Sequence, residues 1–472
     1  MILGSSEENM LICPSTYSLV MGKYELLKSI TLIFVECIMK YNESTTDIRN
    51  EHIKECIEFL LKLSGDSKVY HHLHPPGYDM KQPQDALNLK MNNDENSPVA
   101  YTAHLLVILL KKSNKKDNFN SQVNNWKELI LHYMMNLAAI TYLRPYFTKK
   151  LLITQIQSNE SIQTPSPMIV LLALIKSFHS ETESCRLLAM KVLQNLVLEC
   201  NENQNVLIHL GGVGTLLNIC TSDHALLSTS PIKSKACALL CHCITNGESK
   251  KYAMEAFLSY PDAFKKLMTS FTKIVLHPSF TNNALSKTKN DMEYTNYAAL
   301  CSHIIHMLAS MKSEECIKSM TNDTTLVNEF INAILQILPS PKINGRGIVD
   351  SKSICLPPDS PPKGSQYEIA CRRSSFMIHV LKSLIQCLDA CIALNLSKHP
   401  VKPAILNTQI CMIFVEKMVC LLANVSHYHA FTIRNAAKCL ARVTKHWEDC
   451  SKHCRKLRGM EILLELGRNG MI

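Results

Sequence analysis

Glycine is scarce in this chain, 14 residues of 472, and there are only 2 Trp within an aromatic share of 6%. So little glycine argues against a turn-rich all-β architecture and against a large nucleotide-binding α/β enzyme, both of which use glycine wherever the backbone must adopt positive φ. Long apolar runs are missing as well. Ile30 to Met39 and Ala103 to Leu110 are typical of the longest, far below the roughly 18 residues that span a bilayer. The expectation is a soluble protein without membrane insertion. The opening MILGSSEENM places Gly4, Ser5, Ser6, Glu7 and Glu8 where a secretory signal needs its apolar stretch. Neither GxGxxG, GxSxG nor a phosphate-loop GxxxxGK string occurs, so the chain reads as non-enzymatic, with no cofactor.

What is present is apolar and helix-favouring. Apolar residues make up 46% of the chain, rich in Leu, Ile, Ala, Met and Cys. The 20 cysteines mostly fall inside apolar helical runs, as Cys37, Cys185, Cys237, Cys243 and Cys439 do. Free thiols there act as small buried hydrophobes, which implies a reducing cytoplasm or nucleus. Lys and Arg exceed Asp and Glu by 50 to 40, a formal charge of +10. Spread over the whole length this is a mild bias toward acidic partners, too dilute for a dedicated nucleic-acid domain.

At about 150 residues per domain the length allows three domains or one repeat array. Helix, short break, helix is the pattern almost throughout, and strand signals are nearly absent. The expected organisation is an N-terminal helical unit at 1–65, a linker at 66–98, divergent helical repeats at 99–156, repeats at 168–338, a disordered loop at 339–366 and further repeats at 367–472.

An internal repeat fixes the architecture. Laid on Ala436 to Leu464, the stretch Ala189 to Leu217 aligns without a gap at an offset of 436 − 189 = 247, with seven identities in 29 positions. Ala189 meets Ala436, Lys191 meets Lys438, Leu193 meets Leu440, Leu210 meets Leu457, Gly212 meets Gly459, and Leu216 and Leu217 meet Leu463 and Leu464. These are the packing residues of a helical hairpin and the glycine of its turn. A degraded copy starts at Ala236, an offset of 236 − 189 = 47, with Tyr260-Pro261-Asp262 at the turn. Further copies are expected at Tyr297 to Leu338 and Ser383 to Val425.

The order VLQNL, NENQN, VLIHL, GGVGTLLNIC resembles the armadillo repeat. The resemblance covers about a quarter of the chain directly. It implies an all-α, right-handed superhelical solenoid with disordered loop insertions, whose third helices line a concave groove that binds a protein segment. The family's groove ladder of Asn, often with Trp one turn earlier, falls here on Asn195 with Lys191, His242 with Ala238, and Arg442 with Lys438. Only one Asn and no Trp survive, which argues against a nuclear-import role. Instead Arg434, Lys438, Arg442 and Lys445 form one basic stripe at helical spacing. Such a stripe suits an acidic or phosphorylated partner segment, as in catenin-like relatives; a solvated helix face is the plainer reading of the same pattern. The sequence from Ile433 through CLARV also resembles repeats of rotatin-type centrosomal and ciliary armadillo proteins. A chromosome-associated, nucleic-acid-binding role is the further alternative.

Two other patterns were weighed. His446, Cys450, His453 and Cys454 have ligand spacing, but the repeat puts a helix break among them and no second ligand pair accompanies them, so no metal site is assigned. Ser230-Pro-Ile-Lys and Ser360-Pro-Pro-Lys resemble sites of proline-directed kinases, with weaker versions at Thr164, Ser166 and Ser340, all in expected loops. Finally, the apolar helix after Gly459 has no following cap, which leads to the expectation of a fragment or of a partner over that end.

Overall fold

The structure, a computed structural model, describes residues 98–470 apart from 114–119, 140, 150, 155–160, 178–180, 199, 223–230, 277–291, 312–322, 339–340, 345–346, 351–365, 397–407 and 425–427. The N-terminal unit and all of the expected linker except Pro98 therefore lie outside the described residues, as do Cys37, Ser230 and Ser360. Contacts divide the chain into two compact units, Met1–Thr215 and Leu216–Ile472.

In the first unit α1 (Pro98–Ser113), α2 (Asn120–Ala139), a 3-10 segment (Thr141–Phe147), α3 (Pro167–Lys176), α4 (Glu183–Val197) and α5 (Asn201–His209) precede α6 (Gly212–Thr221), within which the unit boundary falls. Helix α1 packs on α2 and α3, and α4 on α2 and α3, so two layers form: α1 with α3, and α2 with α4. Their shared core is apolar, with Leu105, Leu109, Ile130, Met134, Leu171, Leu174, Leu193 and Leu196 all buried. One ion pair is buried with them. Lys127 of α2 is fully enclosed and donates to both oxygens of Glu181, at 2.9 and 2.7 Å.

The second unit repeats the scheme. After α7 (Pro231–Thr245), α8 (Lys250–Ser259) and α9 (Ala263–Val275) come α10 (Met292–Ser310), α11 (Thr324–Ile337), α12 (Gln366–Leu396), α13 (Thr408–Ala423), α14 (Ala430–His446), α15 (Glu448–Lys456) and α16 (Gly459–Arg468). One layer runs α9, α11, α13, α16, each packed on the next; the other runs α7, α10, α12, α14. Helix α9 shows why: Phe264, Leu267, Met268, Phe271, Ile274 and Val275 are buried on one face while Lys265, Lys266 and Lys273 are exposed on the other.

The offset of 247 holds at the level of individual bonds. Asn201–His209 plus 247 is Glu448–Lys456, and Gly212–Thr221 plus 247 is Gly459–Arg468, the observed bounds of α15 and α16. Thr182 caps α4 by accepting from the Cys185 amide, and His429, 247 residues on, caps α14 by accepting from the Phe431 amide. The offset of 47 holds too. Arg186 Nε donates to the Ile175 carbonyl and Lys233 Nζ to the Ser222 carbonyl, so a cation from each third helix satisfies the end of the helix 11 residues before it.

Between the short first helix and the second helix the backbone makes the same left-handed step each time. Gly211 has φ 73°, Asp262 56° and Arg458 60°, each immediately before α6, α9 or α16. The sequence places glycine at one of these positions, and the other two carry side chains where φ is unfavourable. The following glycines are needed for closeness: a Cβ on Gly212 would lie 2.5 Å from Leu207 Cδ1 and 2.6 Å from its carbonyl oxygen, and one on Gly459 would lie 2.6 Å from Cys454 Sγ.

Two hairpins correct the expectation of helices and disordered loops alone. Strand β1 (Leu151–Thr154) pairs antiparallel with β2 (Ser161–Thr164), with Leu151 opposite Thr164, and β3 (Pro341–Asn344) with β4 (Gly347–Asp350), with Asn344 opposite Gly347. They lie against α1 and α13 respectively. The second carries a sequence cue: the two residues between the paired Asn344 and Gly347 are Gly345-Arg346, and a Gly-X pair is a two-residue hairpin signal. It falls inside the stretch expected to be a disordered loop, whose Pro and Ser content concealed it.

Gly212→Ala and Gly459→Ala should each destabilise the fold by about 1–3 kcal/mol, because the new methyl meets backbone or packed sulfur. Arg458→Gly should be neutral or stabilising by up to about 1 kcal/mol, as left-handed strain is relieved against a larger unfolded-state entropy. Denaturant titration followed by circular dichroism checks both signs. Lys127→Met should cost about 3–5 kcal/mol by stranding Glu181, and Lys127→Met with Glu181→Leu should recover most of that loss in the same titration.

Candidate functional site

The layer α7, α10, α12, α14 corresponds to the third helices of successive repeats, and α2 with α4 to those of the first unit. Each expected groove residue lies on this layer. In the first unit Lys191 is half-buried on α4 and faces His132 of α2, whose imidazole is held below its ordinary pKa by burial and by that lysine, against a smaller opposing pull from Glu128. Asn195 donates to the Met135 carbonyl of α2 at 3.2 Å, so its amide ties neighbouring third helices together.

In the second unit the basic stripe divides. Arg434, Lys438 and Lys445 are exposed on α14, Arg434 lying 5.9 Å from the centroid of the exposed Phe431 ring. Arg442 is half-buried and paired with Asp389 of α12, Nε to Oδ1 at 2.5 Å and Nη2 to Oδ2 at 3.3 Å. Its charge is thus answered within the chain, at the position where α4 uses Asn195 for the same cross-helix link. The expected four-cation stripe is corrected to three cations on α14. His242 lies within 3.3 Å of Asn246 one turn along α7.

A cluster that the sequence reading did not single out sits on α7, α10 and α12. His306 of α10 stacks on His379 of α12, ring centroids 4.0 Å apart and planes 10° from parallel. The Cys241 sulfur of α7 lies 3.5 Å from His306 Nδ1. Burial, then His306 and Lys235, bring His303 down to about 4; burial, then His306 and Lys382, do the same for His379. His306 is lowered by burial and by Lys382 and Lys250. The signal was available as His303-x-x-His306 and His379-x-x-Lys382, each pair one helical turn apart, but 73 residues separate His306 from His379 and only packing joins them.

Thiols and loop sites complete the inventory. Among the described residues 14 cysteines stand outside any disulfide, and all but Cys200 are buried. Burial pushes the Cys241 thiol up to about 12. Among the described residues no three His, Cys, Asp or Glu converge on a metal position; Cys450 and Cys454 are buried, while His453 Nε2 lies 3.1 Å from Glu416. Thr164 belongs to strand β2, and Ser166 is buried with its hydroxyl donating to the Phe147 carbonyl at 2.9 Å, so neither is the exposed loop residue expected. No described helix is long and apolar enough to cross a membrane.

No family of known sequences matches the chain, and no curated protein does. Solved structures do. An engineered protein determined as a structural-genomics target is similar at 15% identity and a TM-score of 0.37, over 93% of this chain and 94% of its own. A designed armadillo repeat protein is similar at 12% identity and a TM-score of 0.35, over 72% of this chain and 99% of its own. The armadillo-like helical repeat fold rests on the chain's own three-helix units: first helix, left-handed turn, second helix, then a third helix in the opposite layer.

The histidine cluster sets a pH dependence. Between pH 6.5 and about 4 the unfolded imidazoles of His303 and His379 bind protons that the folded ones refuse, so stability is full above 6.5 and is lost as pH falls through that window. For the pair a loss on the order of 2–4 kcal/mol is expected, reduced for partial exposure. The difference in unfolding free energy between wild type and His379→Phe should shrink or reverse in the variant's favour from pH 7 to 4.5, measured by denaturant titration.

Proposed function

We propose that this chain is a non-enzymatic scaffold whose third-helix layer binds an acidic or phosphorylated segment of a partner protein. The observation that carries the reading is the charge of one layer. Helices α7, α10, α12 and α14 together hold nine Lys or Arg and three Asp or Glu, and one of those carboxylates, Asp389, is already spent on Arg442. Lys235 on α7, Lys382 on α12, and Lys438 and Lys445 on α14, the last three exposed, stand on helices that pack consecutively through α10. An extended anionic segment laid across them gains several charge-assisted hydrogen bonds at once, and the net field steers its approach.

The Asp389–Arg442 pair fits the role as well. It fixes the spacing of α12 and α14 from within, leaving the flanking lysines to the partner. Lys191 and Asn195 do the equivalent work in the first unit, Asn195 as the tie and Lys191 as the cation. His242, Arg434, Lys438 and Lys445 supply contacts in the second, and Ser230 and Ser360, if phosphorylated, would compete for the same cations.

The test uses a fluorescent deca-glutamate peptide and anisotropy. Wild type should bind more weakly as salt rises, and Lys382→Glu with Lys438→Glu and Lys445→Glu should weaken binding about tenfold or more. Lys266→Glu, on the opposite layer at α9, should leave binding within about twofold, since exposed charge far from the surface contributes little. Equal losses in both variants, or none in the first, overturn the reading.

A further inference from the structure

Resting on that reading, we infer that His303, His306, His379, Lys235 and Lys382 form a phosphate-accepting subsite within the third-helix layer, taking the phosphorylated side chain of the bound segment and picking up protons as it binds. The residues come from three consecutively packed helices, α7, α10 and α12. His303 and His306 stand one turn apart on α10 and His379 and Lys382 one turn apart on α12, and the His306 and His379 rings lie face to face at 4.0 Å.

Cation and imidazole crowding is what makes the place unusual. The groups that act on the three rings are Lys235 from α7, Lys250 from α8, Lys382 from α12 and the other imidazoles, all positive or neutral. His242 and the Cys241 thiol also belong to α7, and the thiol keeps its proton. Helix α9 packs on α10 and α11 on α12, and α9 and α11 meet each other through the Phe271 and Phe330 rings, 5.3 Å apart. The charged groups of α14 are Arg434, Lys438, Arg442 and Lys445, all cationic, and the Asp389 carboxylate of α12 that pairs with Arg442 stands ten residues beyond His379, about 15 Å along the helix at 1.5 Å per residue. No carboxylate among the described residues acts on the cluster to compensate it.

A neutral cluster of this kind is primed for a dianion. The Cys241 sulfur lies 3.5 Å from His306 Nδ1, and in the tautomer where the thiol donates to that nitrogen the ring's own proton sits on Nε2 as a donor. An arriving phosphate monoester brings nearly two negative charges and three acceptor oxygens. Its field reverses the balance that Lys235, Lys250 and Lys382 impose, and imidazoles that were neutral become imidazolium donors. A single carboxylate offers half the charge and a weaker reversal. Binding should therefore consume protons from solution, and the preference for phosphate over carboxylate should grow as pH falls from 8 toward 6.5, above the range where the phosphate itself takes up its second proton.

The experiment uses the full chain with four probes: a Glu/Ser decapeptide carrying one central phosphoserine, the same peptide with serine, the same with glutamate there, and inorganic phosphate. Affinity is measured by calorimetry at pH 8.0, 7.25 and 6.5, each in two buffers of different ionisation heat, so that proton uptake is read on wild type without any substitution. The phosphopeptide should bind about tenfold tighter per pH unit lost for each proton taken up, by linkage, and the serine and glutamate peptides should change far less. His379→Gln and His303→Gln should each erase most of the phosphate preference while leaving the serine peptide's affinity within about threefold, since the lysines of the wider surface remain.

The outcomes separate. Acidic peptides that bind with no phosphate preference and no proton uptake overturn the subsite and leave the wider binding surface standing. Failure of every peptide to bind overturns both. Inorganic phosphate that binds as tightly as the phosphopeptide, with the same dependence on His379, shows a site for the free ion and overturns its assignment to a partner segment.

Discussion

Three turns depend on a single left-handed residue, Gly211, Asp262 or Arg458, between a short first helix and the second helix that follows. The step turns the chain sharply enough that α5 and α6, or α15 and α16, close on one another, and it brings the backbone after the turn so near the preceding helix that a methyl group has no room at Gly212 or Gly459. With this angle set, the second helix lands in one layer and the third in the other. Neither helix could cover its apolar face alone; stacking supplies the cover. The same backbone step recurs with glycine, aspartate and arginine, which shows that the packing, and not the local preference of the residue, holds it.

Links between neighbouring third helices follow from that layering. Carbonyls at helix ends and polar side chains on the inner surface must be answered, and the chain answers them with whichever donor stands at the equivalent position: Arg186 and Lys233 for helix ends, Asn195 and Arg442 for the ladder. The chemistry differs while the geometry repeats. Function is written in these differences, because a ladder position that holds an amide in one repeat and a guanidinium in another leaves a different residual charge on the surface. In the second unit the residue of charge is positive, and around His306 it is positive without a compensating carboxylate among the described residues.

Much of this was legible from residues alone. The offset of 247 located equivalent helices to the residue and that of 47 to within a few residues, and Tyr260-Pro261-Asp262 and Gly459 marked the turns correctly. The hairpins were less visible, since four-residue strands give too few alternations to register, although Gly345-Arg346 carried a usable hint. Ser166 was misjudged as an exposed loop residue because Ser-Pro reads the same whether it opens a loop or a helix; here it sits just before α3 and its hydroxyl reaches back 19 residues to Phe147. Arg442 was read as free for a like reason. Helical spacing along α14 places it beside Lys438 and Lys445, but spacing holds no information about Asp389, 53 residues earlier.

The sequence by itself therefore determined the helical periodicity, the repeat length and the turn positions, all of which depend on neighbours within a few residues or on near-identity between copies. Tertiary structure alone decided which charges remain available. Whether Arg442 is neutralised, whether His306 and His379 stack, and whether a buried lysine finds Glu181 are contacts across dozens of residues of chain, made when layers pack and invisible to any pattern of spacing. The scarcity of glycine belongs to both accounts. Composition predicts few sharp turns, and packing shows that at Gly212 and Gly459 the few are kept where nothing larger fits.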